Sequence, residues 1–308
     1  MRFSSNPKAS LRQIVSGRYA CFCVGSLPFS DAQQAVEFVL ARPKIMPFWP
    51  ELPQRSSSEF MLARTERVAA AEWSGYAADE SSGLYALAER LGQGQPLALI
   101  KAQLMGPLSF MSYSQGMHGS FADNLEMATA ICLKQVLWQR TFLKPYGKAL
   151  LFVLDEPALK DWDRLDDSEK TLLREAYSYL YVTISDLGGL LGLHSCSGFE
   201  LEFLEFPIEL LSFDLTAHPL EKFFCASAKE VWRDALQRGL VLAPGTFESV
   251  GTPPWPESFS KGRAMYDQAV AYLSDLGVGD VNALMSASCG HANAHLSWLE
   301  QLYNEFGT

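Results

Sequence analysis

Short apolar runs rich in Val, Ile, Leu and Phe alternate along the chain with longer stretches whose apolar residues recur at helical spacing. The first kind reads as buried strand and the second as amphipathic helix. The pattern predicts eight strands: Tyr19–Gly25, Lys44–Trp49, Leu97–Met105, Ala149–Asp155, Gly189–Cys196, Ile208–Asp214, Gly239–Pro244 and Val281–Ala287. Helices are predicted over Ser30–Ala41, Phe121–Phe142, Asp167–Leu187, Ala226–Arg238, Phe259–Leu276 and Ala292–Phe306. Gly and Pro punctuate the strand ends, at Gly25, Pro50, Gly106–Pro107, Pro157, Gly198, Pro244–Gly245 and Gly290. Strand–helix alternation argues for parallel βα units in an α/β fold. Eight such units in 308 residues match a single (βα)8 TIM barrel over residues 1–308. A doubly wound sheet is the alternative, but no G-x-G-x-x-G or P-loop opens a first turn.

Polar and reactive residues fall where these strands should end. Ser26 follows the first and Gln103 lies on the third. Asp155–Glu156 closes the fourth, His194 and Cys196 the fifth, and Asp214 the sixth. Glu248 stands beyond the seventh and Cys289 beyond the eighth. In a TIM barrel those C-terminal ends converge on the active-site face, so the pattern argues for an enzyme. Composition narrows the class further. Apolar residues make up 48% of the chain and charged residues 19%, which suits a packed core. The net charge of −10 disfavours nucleic acid and anionic membrane as partners. No spanning or export segment is evident, so a cytoplasmic location is expected. Six cysteines are too few for a disulfide scaffold and stand as buried thiols, metal ligands or nucleophiles.

In extended chain, residues two apart share a face, so His194 and Cys196 can reach one ion. Cys289 approaches from the last strand. One imidazole and two thiolates suit tetrahedral zinc. Asp214 is a candidate fourth ligand, and His291 is a competing one. Cys21, Cys23, Cys132 and Cys225 read as packing residues. His118, His218 and His295 belong to no ligand pattern. Phe48–Trp49 either walls a substrate pocket or simply packs.

Several pieces, in order, resemble the C-terminal catalytic barrel of cobalamin-independent methionine synthase, in the superfamily that includes uroporphyrinogen decarboxylase and corrinoid-dependent methyltransferases. They are Val24–Gly25–Ser26–Leu27–Pro28, Gly106–Pro107, Asp155–Glu156–Pro157–Ala158–Leu159, His194–Ser195–Cys196, Pro244–Gly245 and Ser288–Cys289–Gly290. The resemblance implies zinc on His194, Cys196 and Cys289, with Asp214 where the family has a Glu ligand. It implies that Ser26, Asp155 and Glu59 hold the amino-acid part of homocysteine, with Gly25 and Gln103 beside them. Asp155 and Glu156 are the catalytic candidates. The family's proton-donating His has no counterpart, since Gly251 and Thr252 occupy its region. The folate-associated aromatic after Gly106–Pro107 is also missing, as is the basic stretch before that strand, so a folate donor is not expected. The resemblance then points to a zinc-dependent thiol methyltransferase that takes a methyl group from a methylcorrinoid, carried by a partner corrinoid protein. The alternatives are a uroporphyrinogen decarboxylase-like lyase, whose Arg-rich segment Arg2, Arg12 and Arg18 do not reproduce, and a non-catalytic zinc-binding or ligand-binding barrel.

Overall fold

The computed structural model describes residues 10–70, 72–92, 94–197, 200–250, 255–279 and 281–306. Arg2, Gly198, Gly251 and Thr252 lie outside the described residues. Six strands form one sheet in chain order: β1 (Ile100–Met105), β2 (Leu150–Asp155), β3 (Leu190–Ser195), β4 (Leu210–Asp214), β5 (Val241–Phe247) and β6 (Ser286–Ala287). All neighbours pair in parallel. Parallel neighbours need crossovers, and helices supply most of them. Phe121–Leu143 leads from β1 to β2, Asp167–Asp186 from β2 to β3, Lys229–Gln237 from β4 to β5, and Trp255–Ser274 from β5 to β6. The two long helices before β2 and β3 each start at a capping box, Ser120 with Asp123 and Asp166 with Glu169. Among the described residues, no helix is long and apolar enough to cross a membrane.

The expected closed eight-stranded barrel does not form. The sheet has six strands and is open. The first two predicted strands remain extended chain that makes single bridges. Cys21 bridges Ile45 and Met285, Ser26 bridges Glu51, and Phe48 bridges Lys101. Pro47 lies within the second segment, with Pro43 and Pro50 on either side. Each removes an amide donor that a ladder needs. Lacking a regular partner, the segment at Tyr19–Gly25 builds no ladder either. The last predicted strand shrinks to Ser286–Ala287, after a register shift between Gly245 and Phe247. Helices Met61–Val68, Ser82–Leu91 and Pro107–Tyr113 add to the predicted set.

Both faces of the sheet are buried, as parallel sheets require. On one face Ile100, Phe152, Leu154, Leu191, Leu193 and Leu211 pack under the helices. On the other, Leu151, Val153, Leu190, Leu210 and Val241 meet Phe22, Val24 and Met46. Along this second face the apolar residues give way to Asp155, His194, Ser212 and Asp214 at the C-terminal strand ends. The loop carrying Trp49–Glu51 is wedged against helix Ser82–Leu91. A Cβ on Gly83 would lie 2.0 Å from the Pro50 carbonyl oxygen. We expect Gly83→Ala to displace that loop and to lower the unfolding free energy by about 1–3 kcal/mol, read from the urea midpoint.

Candidate metal centre

The parallel register sets three side chains in a row. Asp155 lies opposite His194, and His194 opposite Ser212. His194 is buried, and its Nδ1 is 3.0 Å from Ser212 Oγ. Its Nε2 has no hydrogen-bond partner among the described residues. Cys196 follows β3 by one residue, and Cys289 stands in the turn after β6. A ring nitrogen of His194 and the two sulfurs all lie within 4.8 Å of one another. The turn at Cys289 packs on Ser26, whose carbonyl accepts the His291 N–H at 2.8 Å. A Cβ on Gly290 would fall 2.0 Å from Ser26 Oγ, so a glycine is what lets the two segments meet.

The two thiols are strongly unequal. Their mutual hydrogen bond pulls Cys196 down to about 3, with further help from His194. The same contact pushes Cys289 up, and burial adds to it. Burial also pushes Asp155 up to about 7, against the pull of His194 and Lys101. Its Oδ1, like His194 Nε2, is buried without a partner among the described residues. Native folds leave few such atoms unpaired, and a bound cation would satisfy both kinds. Two sulfurs and an imidazole oriented by a hydroxyl fit a borderline or soft metal ion.

A cavity of about 250 Å³ opens beside these donors. Its wall carries three carboxylates, from Glu51, Glu59 and Asp155, and an apolar side at Phe60, Met61 and Met105. Among the described residues no Lys or Arg lines it. Ser26 lines it as the resemblance implies. Glu59 accepts the Leu52 N–H at 3.1 Å and pairs with Arg55 at 3.0 Å. Glu51 was not singled out in the sequence. It stands two residues beyond the second predicted strand, just past Pro50, and the strand-end pattern that marks Asp155 and His194 marks it too.

Other expected site residues fall elsewhere. Gln103 is fully buried, donating to the Trp49 carbonyl at 2.8 Å and accepting from Lys101 at 3.0 Å. Gly25 packs on Gln103, and neither residue lines the cavity. Glu156 is turned away from it, buried against helix Pro107–Tyr113. Its carboxylate accepts the N–H groups of Leu108 (3.0 Å) and Ser109 (2.7 Å) and the Tyr177 hydroxyl (2.5 Å). That is a helix-anchoring position, in which burial raises its pKa. Asp214 lies outside the donor group and accepts from both the N–H and the hydroxyl of Thr216 at 2.7 Å. Both nitrogens of His291 are engaged, Nδ1 with the Ser249 carbonyl at 2.7 Å and Nε2 with the Tyr303 hydroxyl at 3.1 Å. Burial pushes that ring down to about 4. Phe48 and Trp49 are core, as are Cys21, Cys23 and Cys132, while half-buried Cys225 sits 3.1 Å from Ser227 Oγ.

No protein-family model matches the chain, and no curated protein matches it.

We expect purified protein to bind about one equivalent of a divalent transition metal, as a three-donor site predicts. His194→Ala, Cys196→Ser and Cys289→Ser should each abolish this in metal analysis, whereas Asp214→Asn should retain it. Both sulfurs must be thiolates to bind the ion, so uptake releases protons and affinity should rise with pH and fall as the medium is acidified. Calorimetry in buffers of different ionisation enthalpy reads those protons. Glu156→Gln should cost about 1–3 kcal/mol of stability, by turning an amide against two N–H donors, and should leave metal content unchanged.

Proposed function

We propose that this chain is a zinc-dependent thiol S-methyltransferase, working on a small aminothiol of the homocysteine type. The observation that carries this reading is the His194, Cys196 and Cys289 donor set gathered on one cavity with three carboxylates. Thiolate and imidazole donors favour zinc over magnesium or calcium. Asp214 and His291 are committed to other partners. Three protein donors would then leave one tetrahedral position for the substrate. When bound, zinc would supply the Lewis acidity that keeps a substrate thiol deprotonated at neutral pH.

The chain's own residues account for the remaining steps. Ser212 fixes the His194 ring through Nδ1 and so aims Nε2 at the sulfurs. Glu51, Glu59 and Asp155 receive the ammonium group. Burial raises the Asp155 pKa, and a cation docking beside it would favour its ionised form. Ser26 offers a hydroxyl to the substrate carboxylate, and Met61, Met105 and Phe60 cover the carbon chain. Held in this way, the thiolate sulfur attacks the methyl carbon of the donor. A sulfur–carbon bond forms, and the electron pair of the breaking bond stays with the donor. The donor proposed is a methylcorrinoid on a partner protein. Free thiols throughout suit a reducing, cytoplasmic setting.

X-ray absorption of the zinc-loaded protein tests the reading. Added L-homocysteine should replace one light-atom ligand by sulfur, and methylcobalamin should then yield methionine. An unchanged sulfur count would refute the proposal.

A further inference from the structure

We propose that Arg64 is a positioning residue of this cavity, a single buried guanidinium that fixes both Glu51 and Glu59 for the cationic end of the acceptor. This assignment rests on the aminothiol reading above. Arg64 belongs to helix Met61–Val68 and is 1% exposed. It lies behind the cavity wall, not on it. One amino group pairs with the Glu51 carboxylate. The other donates to the carbonyl oxygens of Glu59, at 3.0 Å, and Glu80, at 3.4 Å. The guanidinium carbon sits 5.0 Å from the Trp49 ring and 5.5 Å from the Tyr76 ring. Both rings are pinned in turn. Trp49 Nε1–H donates to Gln139 at 3.0 Å, and the Tyr76 hydroxyl to Gln135 at 2.6 Å.

A purely structural role explains this arrangement poorly. Burying an ion pair costs desolvation, and apolar residues of similar volume often stabilise a fold as well or better. Here the pair stands where its acidic member lines the cavity and its basic member does not. The wall therefore presents negative charge to a ligand, while the compensating cation is out of the ligand's reach. The planar fork of Arg also serves acceptors on two separate segments, the Glu51 side chain and the Glu59 main chain. The compact ammonium of Lys matches that geometry less well.

Cobalt-substituted protein provides the test, since a bound substrate thiolate adds to the sulfur-to-cobalt absorption that Cys196 and Cys289 already give, and that increase can be titrated. The probes are L-homocysteine and 4-mercaptobutyrate, which differ only in the ammonium group. Wild type should bind homocysteine about tenfold more tightly, and Arg64→Met should erase most of that preference while leaving 4-mercaptobutyrate within about twofold. Glu51→Gln, which leaves Arg64 in place, should do the same, and Arg64→Lys should recover part of the loss. Retained preference in folded, cobalt-loaded Arg64→Met or Glu51→Gln overturns the assignment. So does a wild type whose absorption rises with both thiols but ignores the ammonium group. No rise in the sulfur-to-cobalt absorption of wild type with either thiol overturns the thiol reading itself, and the assignment with it.

Discussion

The whole site depends on the backbone register of β2, β3 and β4. Parallel hydrogen bonding sets Asp155 beside His194 and His194 beside Ser212. Alternation of side chains then puts all three on one face. A slip of one residue would carry His194 into the helix layer occupied by Leu191 and Leu193. The register is protected because both faces are apolar over most of their length. Leu151, Val153, Leu190 and Leu210 belong to one core, and Phe152, Leu154, Leu191 and Leu211 to the other. The chemistry is thus located where the apolar pattern ends, and it is held by the part of the pattern that does not.

Three carboxylates on one small cavity would repel one another if nothing stood behind them. Each has a cation close by. Arg64, buried, pairs with Glu51, and Arg55, at the surface, pairs with Glu59. Lys101 acts on Asp155 from behind the wall, fully buried over the rings of Phe22 and Phe48 at 5.3 and 5.4 Å. Burial lowers the Lys101 pKa, and the Asp155 charge works against that shift. Asp155 is the least completely served of the three, with an unpaired oxygen and a pKa near 7. The cavity is consequently neutralised from within yet acidic toward its contents. That asymmetry is what the proposed aminothiol reading requires of the site.

How much of this was legible in the sequence varied with the kind of interaction. The order of βα units was readable from periodicity, and so was the convergence of His194, Cys196 and Cys289, because the strand period fixes which side chains share a face. Closure into a barrel was not. The segments at Tyr19–Gly25 and Lys44–Trp49 have strand-like composition, but prolines at 43, 47 and 50 limit them to isolated bridges. Glu59 is legible only through the family resemblance, and Glu51 is hidden by Pro50, which sets it beyond the strand end. Glu156 shows the limit of adjacency. It follows Asp155 directly, yet the chain turns there and its carboxylate enters the opposite layer to hold Leu108, Ser109 and Tyr177. Asp214 and His291 were plausible ligands by position. Their side chains are committed to Thr216 and to Ser249 and Tyr303, which spacing alone does not reveal.

The donor set also bears on how the sheet holds together. His194 comes from the third strand, where ladders run on both sides, and Cys196 follows its last residue. Cys289 comes from the turn after β6, which has two residues and joins β5 across a register shift. Backbone hydrogen bonds from Ser288 to the Phe247 carbonyl and from His291 to the Ser26 carbonyl hold that turn. An ion held by all three side chains would add a link between the middle of the sheet and its two-residue last strand. Because such a site is not preformed in the unfolded chain, binding energy and folding energy would become one quantity. The bond that completes the proposed centre would also secure β6, and Cys289 would be the donor whose position depends most on it.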